Sequence, residues 1–351
     1  MGNWRTLPDS GKVKTIVNGL KTLRIGLLGA ARIAPAALVR PARELQNVVV
    51  TSVAARDLGR ATAFARKHRI ATVHRSYEEL LRDPTIDAVY NPLPNALHGQ
   101  WTCAALRAGK HVLCEKPFTA NAEEAAAVAA VQRQTGLVTM EAFHYRYHGL
   151  TNRMLAVIGS GELGQVRRIE AWICFPLLRR DIRWDFAMAG GALMDAGCYA
   201  VHLVRTLGGA EPTVRSAKAR VLSPYVDRLM QAELAFADGR TASITASMLS
   251  SHLLGIGARV IGSEATMAVT NPLMPQLWHR LTIRSSRGTR KEQVGRLPSS
   301  YAAQLQAFAG AILNGTRVLT DVSDAIANMR VIDACYAAAG LPRREPAPST
   351  R

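Results

Sequence analysis

The sequence predicts an α/β fold in two parts. A doubly wound parallel sheet comes first, and an α+β half with a mostly antiparallel, open-faced sheet follows. Three observations predict it. The chain has 351 residues, more than one core usually holds, since single cores stop growing near ~250–300 residues. From Leu23 to Ala142 short apolar runs alternate with amphipathic stretches, the pattern of repeated βα units. After Leu150 strand-like segments take over, some joined by Gly-containing turns.

Taken in order, Leu23–Leu28 reads as a buried strand, Ala34–Leu45 as a helix, Val48–Ala54 as a strand and Gly59–His68 as a helix. Ile86–Tyr90 is a strand, Trp101–Ala108 lies within a helix, and Lys110–Cys114 is a strand. A helix over Ala122–Gln134 and a strand over Leu137–Ala142 close the series. In the second half a helix over Thr151–Ser160 precedes strands at Val166–Phe175, Thr213–Val221, Met230–Phe236, Thr241–Met248 and Ala258–Ile261. One helical run, Ala192–Leu207, interrupts them. Ala237-Asp238-Gly239 and Ser286-Arg287-Gly288 read as hairpin turns. Helices over Tyr301–Leu313 and Asp321–Ala338 follow, with Asp321 and Ser323 as caps for the second. The boundaries are an extension over 1–22, a first domain over 23–145, a second over 146–340 and a frayed Pro-rich tail over 341–351.

Composition narrows the function. A hydrophobic share of 48% excludes global disorder. Lys and Arg number 44 against 26 Asp and Glu, a formal +18, which raises nucleic acid as a partner. The excess divides evenly at Leu150 and is mostly Arg, so there is no basic arm and nucleic acid is disfavoured. Five scattered Cys do not make a disulfide scaffold and suit a reducing cytoplasm. Residues 1–22 lack the apolar core of a secretory signal, and no apolar run is long enough for a membrane span. Met1-Gly2 with Thr6 formally fits a myristoylation pattern but reads as plain extension. No His, Cys and Asp spacing suits a metal.

The first strand runs into Gly26-Leu27-Leu28-Gly29-Ala30-Ala31-Arg32-Ile33. Small residues at a first βα junction let the chain turn and let a pyrophosphate approach the backbone, as in a Rossmann dinucleotide site. Gly26, Gly29, Ala30, Ala31, Arg32 and Ile33 are the candidate cofactor residues. An NAD site usually has an acid at the end of the second strand. Here it ends Ala54-Ala55-Arg56, and an Arg pairs with a 2′-phosphate where an acid would repel it. NADP is therefore favoured, with NAD possible.

Asn91-Pro92-Leu93-Pro94-Asn95 with His98 makes a rigid turn at the carboxyl edge of the sheet, where such folds bind ligands. The next strand ends Cys114-Glu115-Lys116-Pro117, a charged pair leaving a buried strand. In this order and spacing the chain resembles the Gfo/Idh/MocA oxidoreductase family over roughly Leu23 to Leu341. The resemblance extends to Asp181-Ile182-Arg183-Trp184 and to Gly190-Gly191-Ala192-Leu193-Met194-Asp195-Ala196-Gly197-Cys198-Tyr199. Tyr at 199 is similar to the dihydrodiol dehydrogenase and NADP-dependent D-xylose dehydrogenase branch. Arg146 matches an Arg which that branch keeps near the substrate.

The resemblance implies cofactor contacts from Asn91, Pro92, Leu93, Asn95, His98, Glu115 and Lys116. It implies catalysis by Lys116, Tyr199 and Asp195, and substrate contacts from Arg146, Arg183, Trp184, Asp195 and Tyr199. Asp195 and Tyr199 are four apart, hence on one helix face. Oxidising a CH–OH group needs a base, and a Tyr near pKa ~10 needs lowering, which a Lys116 ammonium would supply. Which of Lys116 and Tyr199 carries the proton stays open. His98, His144, His148 and His202 read as structural or rim residues. The implied function is NAD(P)-dependent hydride transfer with a sugar or cyclic diol, in a homodimer or homotetramer formed through the open sheet. The alternatives are an NAD-dependent glycoside hydrolase and a non-catalytic dinucleotide sensor.

Overall fold

A computed structural model of the chain describes residues 22–178, 181–249 and 255–348. The extension 1–22 lies outside them except for Thr22, and so does the Met1-Gly2 pattern. The first sheet is built from β1 (Leu23–Leu28), β2 (Val48–Ala54), β3 (Thr72–His74), β4 (Ala88–Asn91), β5 (His111–Cys114) and β6 (Thr139–Glu141). All its pairings are parallel, in the order β3-β2-β1-β4-β5-β6. β1 and β4 are almost wholly buried, as strands covered on both faces must be.

The first-half helices are α1 (Arg40–Glu44), α2 (Leu58–His68), α3 (Tyr77–Arg82), α4 (His98–Arg107) and α5 (Ala122–Thr135). A π-helical turn, Pro35–Val39, leads into α1. Side-chain caps start three of them: Asp57 for α2, Ser76 for α3 and Asn121 for α5 each accept a bond from a backbone N–H, worth typically ~1 kcal/mol apiece. β3 and α3 escape the sequence reading because each is too short to show a period.

The second half opens with α6 (Gly149–Gly159). Its sheet comprises β7 (Val166–Cys174), β8 (Thr213–Ser223), β9 (Val226–Ala235), β10 (Thr241–Ser247), β11 (Gly255–Gly262), β12 (Ala265–Thr270), β13 (Arg280–Ser285) and β14 (Gly288–Glu292). Their order is β14-β13-β12-β11-β7-β10-β9-β8. Every pairing is antiparallel except β7 with β10. The last three strands were not read from sequence, since Thr, Arg and Lys occupy their outward positions. The Ser286-Arg287 turn joins β13 to β14, with Ser285 opposite Gly288.

One face of this sheet packs on α7 (Cys198–Gly208), whose side chains are nearly all buried. The apolar stretch Phe186–Gly208 is 83% buried and serves as a core segment. Burying each of its Leu and Val side chains contributes roughly 1.5–3 kcal/mol. The chain then returns to the first half. In α8 (Ser300–Asn314), Tyr301, Leu305 and Phe308 share a core with Leu23, Ile25 and Leu38. α9 (Val322–Ala338) packs on α5 and α7. Asp321 caps α9 and Ser323 does not, because the Ser323 N–H is one of the donors to Asp321.

The tail corrects the sequence reading, for residues 341–348 are docked rather than frayed. Arg344 is fully buried and pairs with the equally buried Asp227 at 2.9 Å. The Ala347 N–H donates to the Ala96 carbonyl in the first half. A buried carboxylate needs a cation or donors around it, and the tail delivers one.

Candidate active site

Strand order reverses between β1 and β4, and ligands of such sheets bind outside the carboxyl ends at that reversal. Gly29 ends β1 there with φ +87°, and a Cβ on it would sit 3.0 Å from the Leu93 side chain. Only glycine meets both demands. The cradle ahead of it fits a dinucleotide. Ala30 and Ala31 are half-buried, and Arg32 and Ile33 are exposed. Gly26 is different: it lies buried inside β1, and its missing Cβ makes room for Leu80 and Ile86. It is a packing glycine and not part of the cradle.

Arg56 is exposed just past β2. Arg60, further on, reaches the Ala30 carbonyl at 3.5 Å. Arg56 precedes the α2 cap and Arg60 lies in the first turn of α2, and both charges bear on Tyr77; the sequence reading did not single out Arg60. Asp57, next to Arg56, is engaged as the α2 cap through the Arg60 N–H at 3.0 Å. The Tyr77 phenol sits near this corner, its pKa raised by burial against the pull of Arg56 and Arg60.

The loop after β4 is held by its own polar side chains. Asn91 Nδ2 donates to the His98 carbonyl and to Thr102, and Asn91 Oδ1 accepts from the Leu93 N–H. His98 lies between the Leu93 and Pro117 carbonyls at 2.7 and 2.8 Å, with burial lowering its pKa to about 4. Asn95 Nδ2 donates to the Ala189 carbonyl across the cleft. The side chains of Asn91, Asn95 and His98 are therefore engaged as scaffold, leaving Pro92 and Leu93 as the half-buried surface.

Beyond β5, Glu115 accepts from Tyr90 Oη at 2.6 Å, and burial raises its pKa. The Lys116 ammonium lies 3.2 Å from Asp195 Oδ1, 3.1 Å from the Asp195 carbonyl and 4.8 Å above the Tyr199 ring. Burial works against its charge, but Asp195 above all holds its pKa above the ordinary value. Burial likewise disfavours the Asp195 carboxylate, yet Lys116 and Arg183 hold its pKa below the ordinary value. Arg183 Nε is 2.9 Å from Asp195 Oδ1 and Arg183 Nη1 is 3.2 Å from Asp181 Oδ1. Arg32 closes the row on Asp181 Oδ2 at 2.7 Å. Alternating charges thus run from Lys116 to the glycine-rich turn. Asp195 stands on a π-helical turn, Leu193–Gly197, that runs into α7; such turns are frequent at functional sites.

Tyr199 departs from expectation. Its Oη points to His144 Nε2 at 3.2 Å, not to Lys116. Burial above all drives its pKa well above the ordinary value. Trp184 is also corrected. Its indole N–H donates to the Leu178 carbonyl, and the ring packs with Ala192, Val226 and Met248 in a small core. Arg146 is half-buried, and no hydrogen bond joins it to Lys116, Asp195 or Tyr199 among the described residues. Its charge bears on Tyr145 and His202 instead. Among the described residues, then, Lys116, Asp195, Tyr199 and Arg183 come together, and Arg146 and Trp184 stand apart.

Comparison with known proteins gives the family and the fold. The oxidoreductase family GFO_IDH_MocA, with its NAD-binding Rossmann fold, matches residues 23–143, and the GFO/IDH/MocA C-terminal domain matches 151–268. The chain is 35% identical to D-xylose 1-dehydrogenase (NADP(+)) 2 of Haloferax volcanii, over 90% of this chain and 97% of that protein. It is 34% identical to the trans-1,2-dihydrobenzene-1,2-diol dehydrogenase of Sus scrofa over 64% of this chain and 66% of that one. Its fold superposes with TM-score 0.83 on a 3-ketoreductase from Actinomadura kijaniata in complex with NADP and TDP-benzene. That match has 28% identity and covers 90% of this chain and 98% of the other.

Proposed function

The chain belongs to the GFO/IDH/MocA oxidoreductase family, and from that premise we propose an NADP-dependent enzyme interconverting CH–OH and C=O groups of a sugar or cyclic diol. One observation carries the reading: Lys116, Asp195 and Tyr199 meet beyond the carboxyl ends of the first sheet, with Lys116 bonded to Asp195 and lying over the Tyr199 ring. When bound, the nicotinamide supplies the hydride acceptor or donor. The Gly29 turn fits its pyrophosphate, and Arg56 with Arg60 offers two guanidiniums to the 2′-phosphate.

Lys116, kept charged by Asp195, donates a hydrogen bond to the substrate oxygen. Tyr199 exchanges a proton with that oxygen. Arg183 holds Asp195 from the other side and faces the substrate. We also assign the enzyme to the cytoplasm, where its free thiols stay reduced. Self-association falls on the open face of the second sheet, opposite α7.

Lys116→Met and Tyr199→Phe, made separately, test the reading. Sugars and diols are screened for NADPH formation, and NADPH binding is measured by fluorescence. Turnover is expected to fall about a hundredfold or more in each while NADPH still binds. Near-normal turnover in both refutes the assignment. Sugar release without net NADP reduction would indicate a hydrolase instead.

A further inference from the structure

Tyr199 begins a run of hydrogen bonds that leads out of the core. Its Oη is 3.2 Å from His144 Nε2. His144 Nδ1 is 2.8 Å from Ser300 Oγ, and Ser300 Oγ is 3.0 Å from Gln276 Oε1. Tyr199 and His144 are 9% and 3% exposed and Ser300 is fully buried. Gln276 is half-buried and precedes the exposed Leu277 and Trp278.

The donor directions follow from the far end. The amide oxygen of Gln276 only accepts, so Ser300 spends its single hydroxyl proton there. His144 Nδ1 must then donate to Ser300. A neutral imidazole with its proton on Nδ1 has a lone pair on Nε2. Tyr199 is therefore the donor to His144, and the four groups form one directed wire.

We propose that His144 and Ser300 form a proton relay serving Tyr199, outward during alcohol oxidation and inward during carbonyl reduction. The proposal rests on Tyr199 exchanging the substrate proton. In oxidation the substrate O–H bond breaks and its proton bonds to Tyr199 Oη. The original Tyr199 proton moves to His144 Nε2, the Nδ1 proton to Ser300 Oγ and the Ser300 proton to Gln276 Oε1, while Gln276 Nε2 gives a proton to bulk solvent and the amide passes through its neutral imidic-acid tautomer. The C–H electron pair leaves with the hydride transferred to NADP⁺. One proton leaves, and each relay group remains neutral.

Neutrality matters in this setting. Burial, helped by Lys116 and His148, lowers His144 to about 3, so an imidazolium is disfavoured. Burial likewise disfavours the Tyr199 phenolate. The titratable groups facing His144 are Lys116, His148, Tyr199 and Tyr301, whose tilted ring lies 4.1 Å from it. A concerted shift along the wire charges none of them. His144 and Ser300 are thus positioning residues for proton transfer, and His144, read from sequence as structural, touches the reacting phenol.

Two readouts test the relay. Nitrogen-15 NMR of the apoprotein is expected to show His144 as the Nδ1–H tautomer, with that preference lost in Ser300→Ala. Single-turnover rates in H₂O–D₂O mixtures are expected to give a curved, multi-proton dependence in the parent. Ser300→Ala should give a straight line and a rate about tenfold lower, with NADPH affinity unchanged and Ser300→Thr restoring both. If Ser300→Ala does not fold, His144→Ala rescued by added imidazole reads the same wire. An Nε2–H tautomer, or a Ser300→Ala enzyme with parental rate and curvature, overturns the relay. Tyr199→Phe run alongside separates the failures: full turnover there removes the Tyr199 assignment itself, whereas an inactive Tyr199→Phe beside a normal Ser300→Ala removes only the relay.

Discussion

Asp195→Asn removes one negative charge from between two cations with almost no change of shape. Asp195 Oδ1 lies 3.2 Å from the Lys116 ammonium and 2.9 Å from Arg183 Nε. At an effective dielectric constant of ~20, each attraction is about 5 kcal/mol before desolvation. Arg183 keeps Asp181 as a partner, so the loss falls on Lys116. Breaking one side of a buried pair costs about 3–5 kcal/mol. For a chain of 351 residues that lowers the melting temperature by about 4–7 °C at pH 7.

The pH dependence has a definite sign. In the parent the folded-state Lys116 pKa is raised. Its stabilisation is therefore present below the unfolded value near ~10.4 and lost as pH rises through the folded one. Without Asp195, burial dominates and the folded pKa drops below the unfolded one. The variant is then penalised while Lys116 is charged and recovers as pH rises. Calorimetry at pH 7 and 9.5 measures the gap, which should narrow at the higher pH. A kcat/KM profile should show the alkaline limb moving to lower pH. An unchanged melting temperature at pH 7 together with an unmoved limb would refute the electrostatic account.

Three further outcomes follow. Arg56→Ala and Arg60→Ala should each weaken NADPH binding roughly tenfold or more, the scale of a hydrogen bond to a charged group, and leave NADH binding within about twofold by fluorescence titration. Gly29→Ala forces a left-handed backbone on a side chain that meets Leu93 at 3.0 Å. That strain is about 1–2 kcal/mol and should appear as a roughly tenfold weaker NADPH Kd. Glu124 is raised to about 7 by burial, so its contribution to stability falls as pH climbs from ~4.5 to 7; Glu124→Gln should raise the melting temperature at pH 8 and change it little at pH 4.5.

Much of the fold was legible because strands buried on both faces are continuous apolar runs, as in Leu23–Leu28 and Val48–Ala54. The edge strand β14 and its neighbour β13 carry Arg and Lys outward and have no such signature. In the site, Lys116, Asp195 and Arg183 were found by motif, and the structure joins them. Tyr199 was found too, but its partner was not. Its contact with His144 links positions 55 residues apart, and no spacing rule reports that. Trp184 and Gly26 resemble site residues in sequence because a packing role and a ligand role can select the same side chain. Arg60 was not legible, because Arg56 stands before the α2 cap and no helical spacing joins the two.

The docked tail has a consequence for how the enzyme is made. Arg344 binds the Gly190 carbonyl and Asp227, and Asp227 accepts from the Leu193 N–H at the start of the turn bearing Asp195. On the ribosome Asp195 and Asp227 are synthesised more than a hundred residues before Arg344. The turn that presents Asp195 is therefore locked only after Arg344 has emerged. A nascent or prematurely terminated chain lacks this lock, and a purification tag belongs after Pro348 on a spacer, where it leaves Arg344 and Ala347 in place.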